Sequence, residues 1–477
     1  MKILHVSAEC YPAAKAGGLG DVVGALPKYL HAAGHETSVV IPKYYTRWIT
    51  ERRFEEVFRG AVRLNDYYVP YFVERLTGED LGYAFYVVHI PGKFDRPGVY
   101  ADPVSGNPYG DEVERYLCFQ QAVIHWVMAM PHRPEILHCH DHHTGLLPFM
   151  VQHCPEYQAL ATTPTIFTIH NGVYHGAFGW DRMSLLPFFD GRYRGLLDWA
   201  NAINPLASAI KCCWRLTTVS PTYLRELRVS SGLEWLLSNE AAKSVGIING
   251  IDNAVWDPAG DQYLPAHFEG DVVAFKAGNR AVLQERFAID PDLPLFTFIG
   301  RLVGEKGAEI IPSMVQQFLA RGQRAAFVVL GTGMQSLHQQ FEQMRYHFRG
   351  FFDAALEYNE GLAHTLYAGS DFLLMPSRVE PCGLNQMYAM RYGTIPIVRK
   401  VGGLVDTVID IGAPGGHGLT FNHLSADDAL IALHRAMEAY QDQTYFAELR
   451  ERVMGVNFSW QKSAEQYLDL YRRVGMS

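Results

Sequence analysis

Charge is scarce in this chain of 477 residues, and so is uninterrupted hydrophobicity. Asp, Glu, Lys and Arg make up 19 %, and 41 basic residues stand against 50 acidic ones, a net charge of −9. With no basic excess, nucleic acid and anionic membrane are disfavoured as main partners, although a local basic pocket is compatible with that balance. The longest stretch without a charged side chain, Tyr157 to Trp180, contains Pro164, His170, Asn171 and His175. It reads as strand plus loop, which excludes a membrane span there. The seven cysteines are odd in number and lack a CxxC spacing, as expected of reduced cytosolic thiols. The start, MKILHVSAEC, reaches Glu9 before any apolar segment of signal-peptide length, and no Arg/Ser-rich transit segment precedes it. A cytoplasmic, bacterial setting is the expectation. What is present is enough apolar material for a core, 48 % of residues, which excludes wholesale disorder, collagen and coiled-coil rods. At roughly 150 residues per domain, two or three domains are expected.

Short β-rich runs alternate with longer amphipathic ones. Ile3–Ser7, Thr37–Ile41, Tyr83–His89, Glu135–Cys139, Thr165–Ile169 and Leu216–Val219 read as strands, with helices over Leu19–Ala33 and near Val113–Ala129. Thr46–Tyr109 breaks the rhythm and reads as an insertion or hairpin region. The alternation restarts with strands at Leu295–Gly300, Ala325–Leu330, Asp371–Met375 and Thr394–Val398, and a helix at Gly307–Ala320. This is the pattern of parallel sheets with crossover helices. Residues 1–245 are expected to form one doubly wound α/β domain and 246–457 a second. A terminal amphipathic helix fills 458–477. Such domains bind ligands at the carboxyl ends of their strands, so a cleft between two facing units is expected.

Five clusters fall at predicted strand ends. In Lys15-Ala16-Gly17-Gly18-Leu19-Gly20-Asp21, glycines allow close backbone approach, helix N–H groups favour anionic oxygens and Lys15 adds charge. A plain strand–helix turn is the structural alternative. The run is neither G-x-G-x-x-G nor a Walker loop. Gly300-Arg301-Leu302-Val303-Gly304-Glu305-Lys306-Gly307 places two cations around a flexible turn, suited to a diphosphate or simply solvated. Glu380-Pro381-Cys382-Gly383-Leu384 offers a carboxylate for sugar hydroxyls, or one that only favours a helix dipole; Cys382 reads as a small buried thiol. His138-Cys139-His140-Asp141-His142-His143 invites a metal reading. Against it, Asp141 sits one residue too early and neighbouring His side chains should point apart; Asp141 as a helix cap is the alternative. Thr168-Ile169-His170-Asn171-Gly172 puts a His and an Asn where a polyhydroxylated substrate could be met, or where His170 is merely structural.

Taken in order, these motifs resemble the bacterial glycogen synthases and plant starch synthases, which elongate α-1,4-glucan. The resemblance covers nearly the whole chain. KAGGLGDV, HxHD, TIHN, VSPTY (Val219–Tyr223), INGID (Ile248–Asp252), GRLVGEKG and SRVEPCGLNQMYAMRYGTIPIVRKVGGLVDTV follow one another at family-like spacing. The resemblance implies the two-domain GT-B glycosyltransferase fold, with the terminal helix crossing back onto the first domain. It implies that Lys15, with Gly17 and Gly18, meets donor phosphate or acceptor, and that Arg301 and Lys306 clamp the diphosphate. By the same likeness His170 lies beside the transferred glucose, Asn249 contacts sugar, and Asp21 and Asp141 belong to the acceptor side or the cleft. Glu380 would hold glucose hydroxyls with Cys382, Gly383 and Leu384 beside it, and Tyr358 would meet the base. Two departures stand out: HDH at His140–His142 replaces the commoner HDW, and Asn385 stands where Thr or Ile is frequent.

The implied reaction moves glucose from ADP-glucose to the 4-hydroxyl at the non-reducing end of a glucan, with retention. Cations aimed at the leaving diphosphate and a sugar held in reacting geometry would drive it. Two carboxylates flanking the bond, as in a hydrolase, are not evident. No cofactor is expected, and no obligatory metal, since the clamp cations would take its place. The rivals are a related transferase using UDP-glucose or a small acceptor, and a non-catalytic glucan-binding homologue. Nothing in the sequence sets an oligomeric state.

Overall fold

The computed structural model describes residues 1–474. It divides into two compact units, one of 1–219, 224–247 and the segment from Trp460, the other of 220–223 and 248–459. The division drawn from sequence, at 245/246 and 457/458, falls two residues early at each of these crossings, and the excursion at 220–223 was not foreseen. The last three residues of the expected terminal segment lie outside the described residues.

The first unit carries β1 (Lys2–Val6), β2 (Glu36–Pro42), β3 (Arg53–Leu64), β4 (Tyr67–Thr77), β5 (Ala84–His89), β6 (Ile136–His140), β7 (Thr165–Ile169), β8 (Asp198–Trp199), β9 (Ala202–Ile203), β10 (Arg215–Thr218) and β11 (Ser244–Gly246). Among the described residues, one sheet runs β11-β10-β7-β6-β1-β2-β5-β4-β3. The hairpin β3–β4 joins antiparallel at its edge, and the 46–109 interruption is that hairpin with its flanks. The second unit has β12 (Leu295–Ile299), β13 (Ala326–Leu330), β14 (Phe352–Ala355), β15 (Phe372–Met375), β16 (Ile395–Arg399) and β17 (Leu419–Phe421), ordered β14-β13-β12-β15-β16-β17 and parallel throughout. Strands buried on both faces demand near-continuous apolar runs, and stacked Phe296, Phe327 and Phe372 fill the centre of this sheet.

Both sheets reverse direction of winding once, at β1/β6 in the first unit and β12/β15 in the second. At such a point the loops leaving two neighbouring strands diverge to opposite faces and leave a crevice at the carboxyl ends. The helix expected over Gly307–Ala320 begins only at Ile311, with Pro312 in its first turn; a left-handed Gly307 (φ 65°) and a short 3₁₀ turn, Ala308–Ile310, precede it. A Cβ at Gly307 would lie 1.8 Å from the Pro376 carbonyl, so only glycine lets the two loops meet.

The helix Trp460–Val474 packs on the first unit. Trp460, Ala464, Tyr467 and Tyr471 recur at helical spacing and bury against Ile3, Val22, Leu26 and Leu30. Its Tyr471 hydroxyl is 2.7 Å from Nδ1 of His138, whose Nε2 is 2.7 Å from the Thr168 hydroxyl. His138 is one of several histidines inside this unit: His5 on β1 and His140 on β6 are likewise wholly buried, and His143 and His170 nearly so. Burial disfavours the imidazolium. It lowers His5, His143 and His170 to about 3, and His138 and His140 well below their ordinary value.

Two outcomes follow from this interior. Tyr471→Phe removes one buried hydrogen bond to His138 without opening a large cavity, and should cost about 1–2 kcal/mol in urea titration; Tyr471→Ala should cost about 3–5 kcal/mol. Second, the unfolded chain takes up protons on these histidines near pH 6.5 while the folded chain does not, so stability falls progressively as pH drops from 6.5 toward 3. Asp141, pushed up to about 7 by burial, acts in the opposite sense, but it is one group against five. The melting temperature should fall between pH 7.5 and 5.5, above the range where ordinary carboxylates titrate; a flat profile there would contradict this account.

Candidate functional site

In the first unit the residues singled out from sequence gather after β1, β6 and β7. The chain leaving β1 passes Glu9 before it enters the helix Gly18–Ala32. Glu9 is buried, and its Oε2 accepts the backbone N–H groups of Ala16 (2.6 Å) and Gly17 (2.9 Å), while Oε1 accepts the Tyr100 hydroxyl (2.6 Å). The N–H groups of Ala16 and Gly17, just ahead of the helix, are thus taken by the chain's own carboxylate, a residue the sequence reading passed over. Its signal was an acid set between a strand and a glycine turn. Lys15 Nζ meets Asp21 in the helix's first turn at 2.7 Å. Gly17 and Gly18 are different from Gly24 in the same helix. A Cβ on Gly24 would strike the Tyr11 carbonyl at 2.5 Å, whereas one on Gly17 or Gly18 would meet no protein atom within 4 Å. Packing does not require those two glycines.

Asp141 does not cap the following turn. Its backbone is left-handed (φ 57°), and its side chain makes no cap hydrogen bond there. Instead Oδ1 reaches across to the end of β7 and accepts the N–H of His170 (2.7 Å) and of Asn171 (3.3 Å). Those two bonds pull its pKa down, and burial outweighs them. The carboxylate therefore fixes the loop that carries His170. His170 Nε2 lies 3.0 Å from His140 Nδ1, and His140 Nε2 lies 3.1 Å from His5 Nδ1.

The expectation that neighbouring His side chains would diverge fails at His142 and His143, and two alternate histidines also share a face. His138 and His140 stack at 4.3 Å, because alternate residues of a strand share a face. His142 and His143 stack at 3.8 Å, with both Nε2 atoms near Glu112 Oε1, at 3.0 and 3.4 Å. Neither group suits a metal. The ring nitrogens of His138 and His140 are spent on Tyr471, Thr168, His5 and His170. The Nδ1 atoms of His142 and His143 are buried without a partner among the described residues. A metal on Nε2 would place an unaccepted N–H at each, whereas donation of Nε2–H to Glu112 leaves only lone pairs there.

In the second unit the loops after β12 and β15 meet. The short turn Gly304–Lys306 brings Lys306 Nζ to 2.9 and 2.8 Å from the two Glu380 oxygens, and the Ser377 hydroxyl donates to Oε2 at 2.9 Å. Glu380 is buried. Backbone N–H groups of Arg378 and Val379 bond the Glu305 carbonyl (2.9 and 3.2 Å), so the two loops are stitched together. Arg301 stands out into solvent, its side chain 64 % exposed and only 3.1 Å from Glu305. Behind Glu380, Gly403 N–H bonds its carbonyl at 3.0 Å, and a Cβ on Gly402 would lie 1.9 Å from it. Asn385, the departure noted above, donates to the Ile299 carbonyl at 2.7 Å and ties the helix Asn385–Arg391 to the end of β12.

The Cys382 thiol is buried and pushed up to about 12, so it is protonated at neutral pH and is no nucleophile. The backbone N–H of Asn249 faces its sulfur, while Asn249 Oδ1 is buried with no hydrogen-bond partner among the described residues. Gly383 is left-handed (φ 75°) and Leu384 opens the helix at Asn385. Tyr358, just after β14, is 83 % exposed. The structure thus brings Lys306 and Glu380 together, sets Asn249 against Cys382, and leaves Arg301 and Tyr358 reaching outward. Ser377 and Glu305 were missed by the sequence reading, although both lie inside or beside its motifs. Among the described residues no helix is long and apolar enough to cross a membrane.

Comparison with known proteins places this geometry. Residues 2–239 match a family model described as starch synthase catalytic domain, and residues 279–452 one described as glycosyl transferases group 1. A glycogen synthase from Flavobacterium johnsoniae is 45 % identical over 479 residues, covering 99 % of each chain. One from an Anaeromyxobacter species is 39 % identical over 484 residues, with the same coverage. The catalytic domain of starch synthase IV from Arabidopsis thaliana, bound to ADP and acarbose, is 31 % identical with a TM-score of 0.88 and covers 100 % of this chain and 99 % of its own. A sucrose-phosphate synthase from Thermosynechococcus elongatus, 17 % identical with a TM-score of 0.61 over the whole of both chains, shares the fold. The chain belongs to the glycogen synthase and starch synthase family of two-domain GT-B glycosyltransferases.

Proposed function

We propose that this protein elongates α-1,4-glucan by transferring glucose from ADP-glucose to the 4-hydroxyl of the non-reducing end, with retention at the anomeric carbon. Lys306 and Glu380, held by Ser377 at the winding reversal of the second sheet, carry the reading. An ammonium shared with a buried carboxylate provides positive charge for a diphosphate and a fixed acceptor for sugar hydroxyls in one place. Arg301 adds a fork of donors free to turn onto phosphate oxygens. Support for the ADP moiety comes from the Arabidopsis relative, which holds ADP and acarbose.

In this reading Arg301 and Lys306 neutralise charge as the glycosidic bond to phosphate lengthens. Glu380 holds the glucose, assisted by the buried amide of Asn249 and the backbone around Cys382, Gly383 and Leu384. Tyr358 stacks on the base. Lys15 meets phosphate or acceptor beside the bare backbone of Gly17 and Gly18, and Asp21 orients it. His170, kept neutral by burial, donates to or accepts from the transferred sugar without contributing charge, and Asp141 positions its loop. The incoming hydroxyl attacks from the face that the diphosphate leaves, and a leaving-group oxygen takes its proton. Fixed cations supply the charge, so no obligatory metal is part of the reading. Seven unpaired cysteines, all buried, are in keeping with a cytoplasmic setting.

Lys306→Ala and Arg301→Ala should each lower kcat on ADP-glucose and glycogen at least about 100-fold, the loss typical of one preorganised donor to developing charge, with the fold intact by circular dichroism. Near-normal turnover in both removes the clamp. Glu380→Gln should depress kcat far more than it weakens ADP binding measured by calorimetry. Turnover should survive EDTA, and rates with ADP-glucose should exceed those with UDP-glucose; the reverse order would reassign the donor.

A further inference from the structure

Three imidazoles are joined end to end in the first unit: His5 Nδ1 to His140 Nε2 at 3.1 Å, and His140 Nδ1 to His170 Nε2 at 3.0 Å. Two neutral polarities are open to such a row, because each ring carries one N–H and one lone pair. They differ only at the ends. If His170 donates into the row, His5 is left with Nε2–H. If His5 donates, His5 Nε2 keeps a lone pair, and His170 carries its proton on Nδ1. His5 Nε2 is buried with no hydrogen-bond partner among the described residues. An orphaned buried N–H is the rarer and costlier end, which selects donation from His5 outward. Protonating the row does not offer an escape. His5, His138, His140 and His170 crowd one another, and the neighbouring ring nitrogens of His138 are already committed to Thr168 and Tyr471.

We propose that His5 and His140 are positioning residues that fix the tautomer of His170, so that His170 presents Nδ1–H as a permanent donor. The donor is set by strand β1 and reaches His170 through the end of β6. Asp141 holds the backbone of His170 in place by accepting its N–H, so backbone placement and tautomer are controlled by separate groups. The inference deepens the reading of His170 as the group beside the transferred glucose and rests on it for its catalytic consequence: a hydroxyl oxygen would be met by an N–H and never by a lone pair.

The test is nitrogen NMR on full-length protein labelled with ¹⁵N-histidine, where two-bond couplings to ring protons report which nitrogen bears the hydrogen. His170 should be the Nδ1–H tautomer in the unaltered protein, unchanged from pH 6 to 8. Finding Nε2–H on His170 overturns the proposal without any variant being made. His5→Leu makes His140 Nε2 the buried end of the row, where the same rule keeps a lone pair, so His170 should stay the Nδ1–H tautomer. His5→Asp sets an acceptor-only carboxylate towards His140 Nε2, which should reverse the row, turn His170 into the Nε2–H tautomer and lower kcat about tenfold, the scale of one lost hydrogen bond, with ADP affinity unchanged. A His5→Asp protein that is folded by circular dichroism and still carries Nδ1–H on His170 also overturns the proposal. His170→Ala separates the two levels: full activity there removes the role of His170 beside the sugar, whereas the tautomer measurement stands or falls independently of it.

Discussion

Where a parallel sheet changes its direction of winding, two adjacent strands release their chains to opposite faces, and no helix covers the gap at their carboxyl ends. Each unit here has one such place, β1/β6 and β12/β15. Glu9, Lys15 and Asp141 emerge at the first, and Lys306, Ser377 and Glu380 at the second. Sequence-distant residues, 306 and 380, become bonding partners only because strand order makes 299 and 375 the ends of neighbouring strands. Glycine completes the arrangement where two loops would otherwise collide, at Gly307 against Pro376 and at Gly402 against Glu380.

The first unit builds its site region from polar groups buried inside the sheet. An interior of this kind tolerates polar atoms only when they find partners, and it recruits them from far along the chain: Tyr471 for His138, Asp141 for the His170 N–H, Tyr100 for Glu9. The second unit stacks phenylalanine at the centre of its sheet and buries polar groups on the same terms, Lys276 against Thr394 and Thr297 against Ser370.

Much of this was legible in the sequence. Strand and helix positions follow from hydrophobic period and turn residues, so β7, predicted at Thr165–Ile169, is found there, and most other strands shift by a residue. The ordered motifs revealed the family, which the comparisons bear out, because chemistry concentrates at strand ends. Other features depended on the return path of the chain. Nothing local says that Glu9 folds back onto Ala16, or that a left-handed Asp141 sends its side chain to β7 and not to its own helix. The Gly307–Ala320 helix was drawn too long because Gly307 reads as permissive, while the contact with Pro376 that forces it left-handed lies 69 positions away. The divergence expected of adjacent histidines failed for the same reason: Glu112, thirty positions upstream of His142, gathers both rings.

The helix Trp460–Val474 completes the core of a unit whose other strands were all made more than two hundred residues earlier. During synthesis, the apolar stripe along Ile3, Val22, Leu26 and Leu30 has to wait uncovered until that helix leaves the ribosome. The second unit, translated in between, owns all of its strands by then and can be finished first. The order of maturation is therefore inverted relative to the order of translation, and any interruption of elongation beyond residue 459 would yield a chain with one finished half and one adhesive half, a natural target for chaperones and proteases.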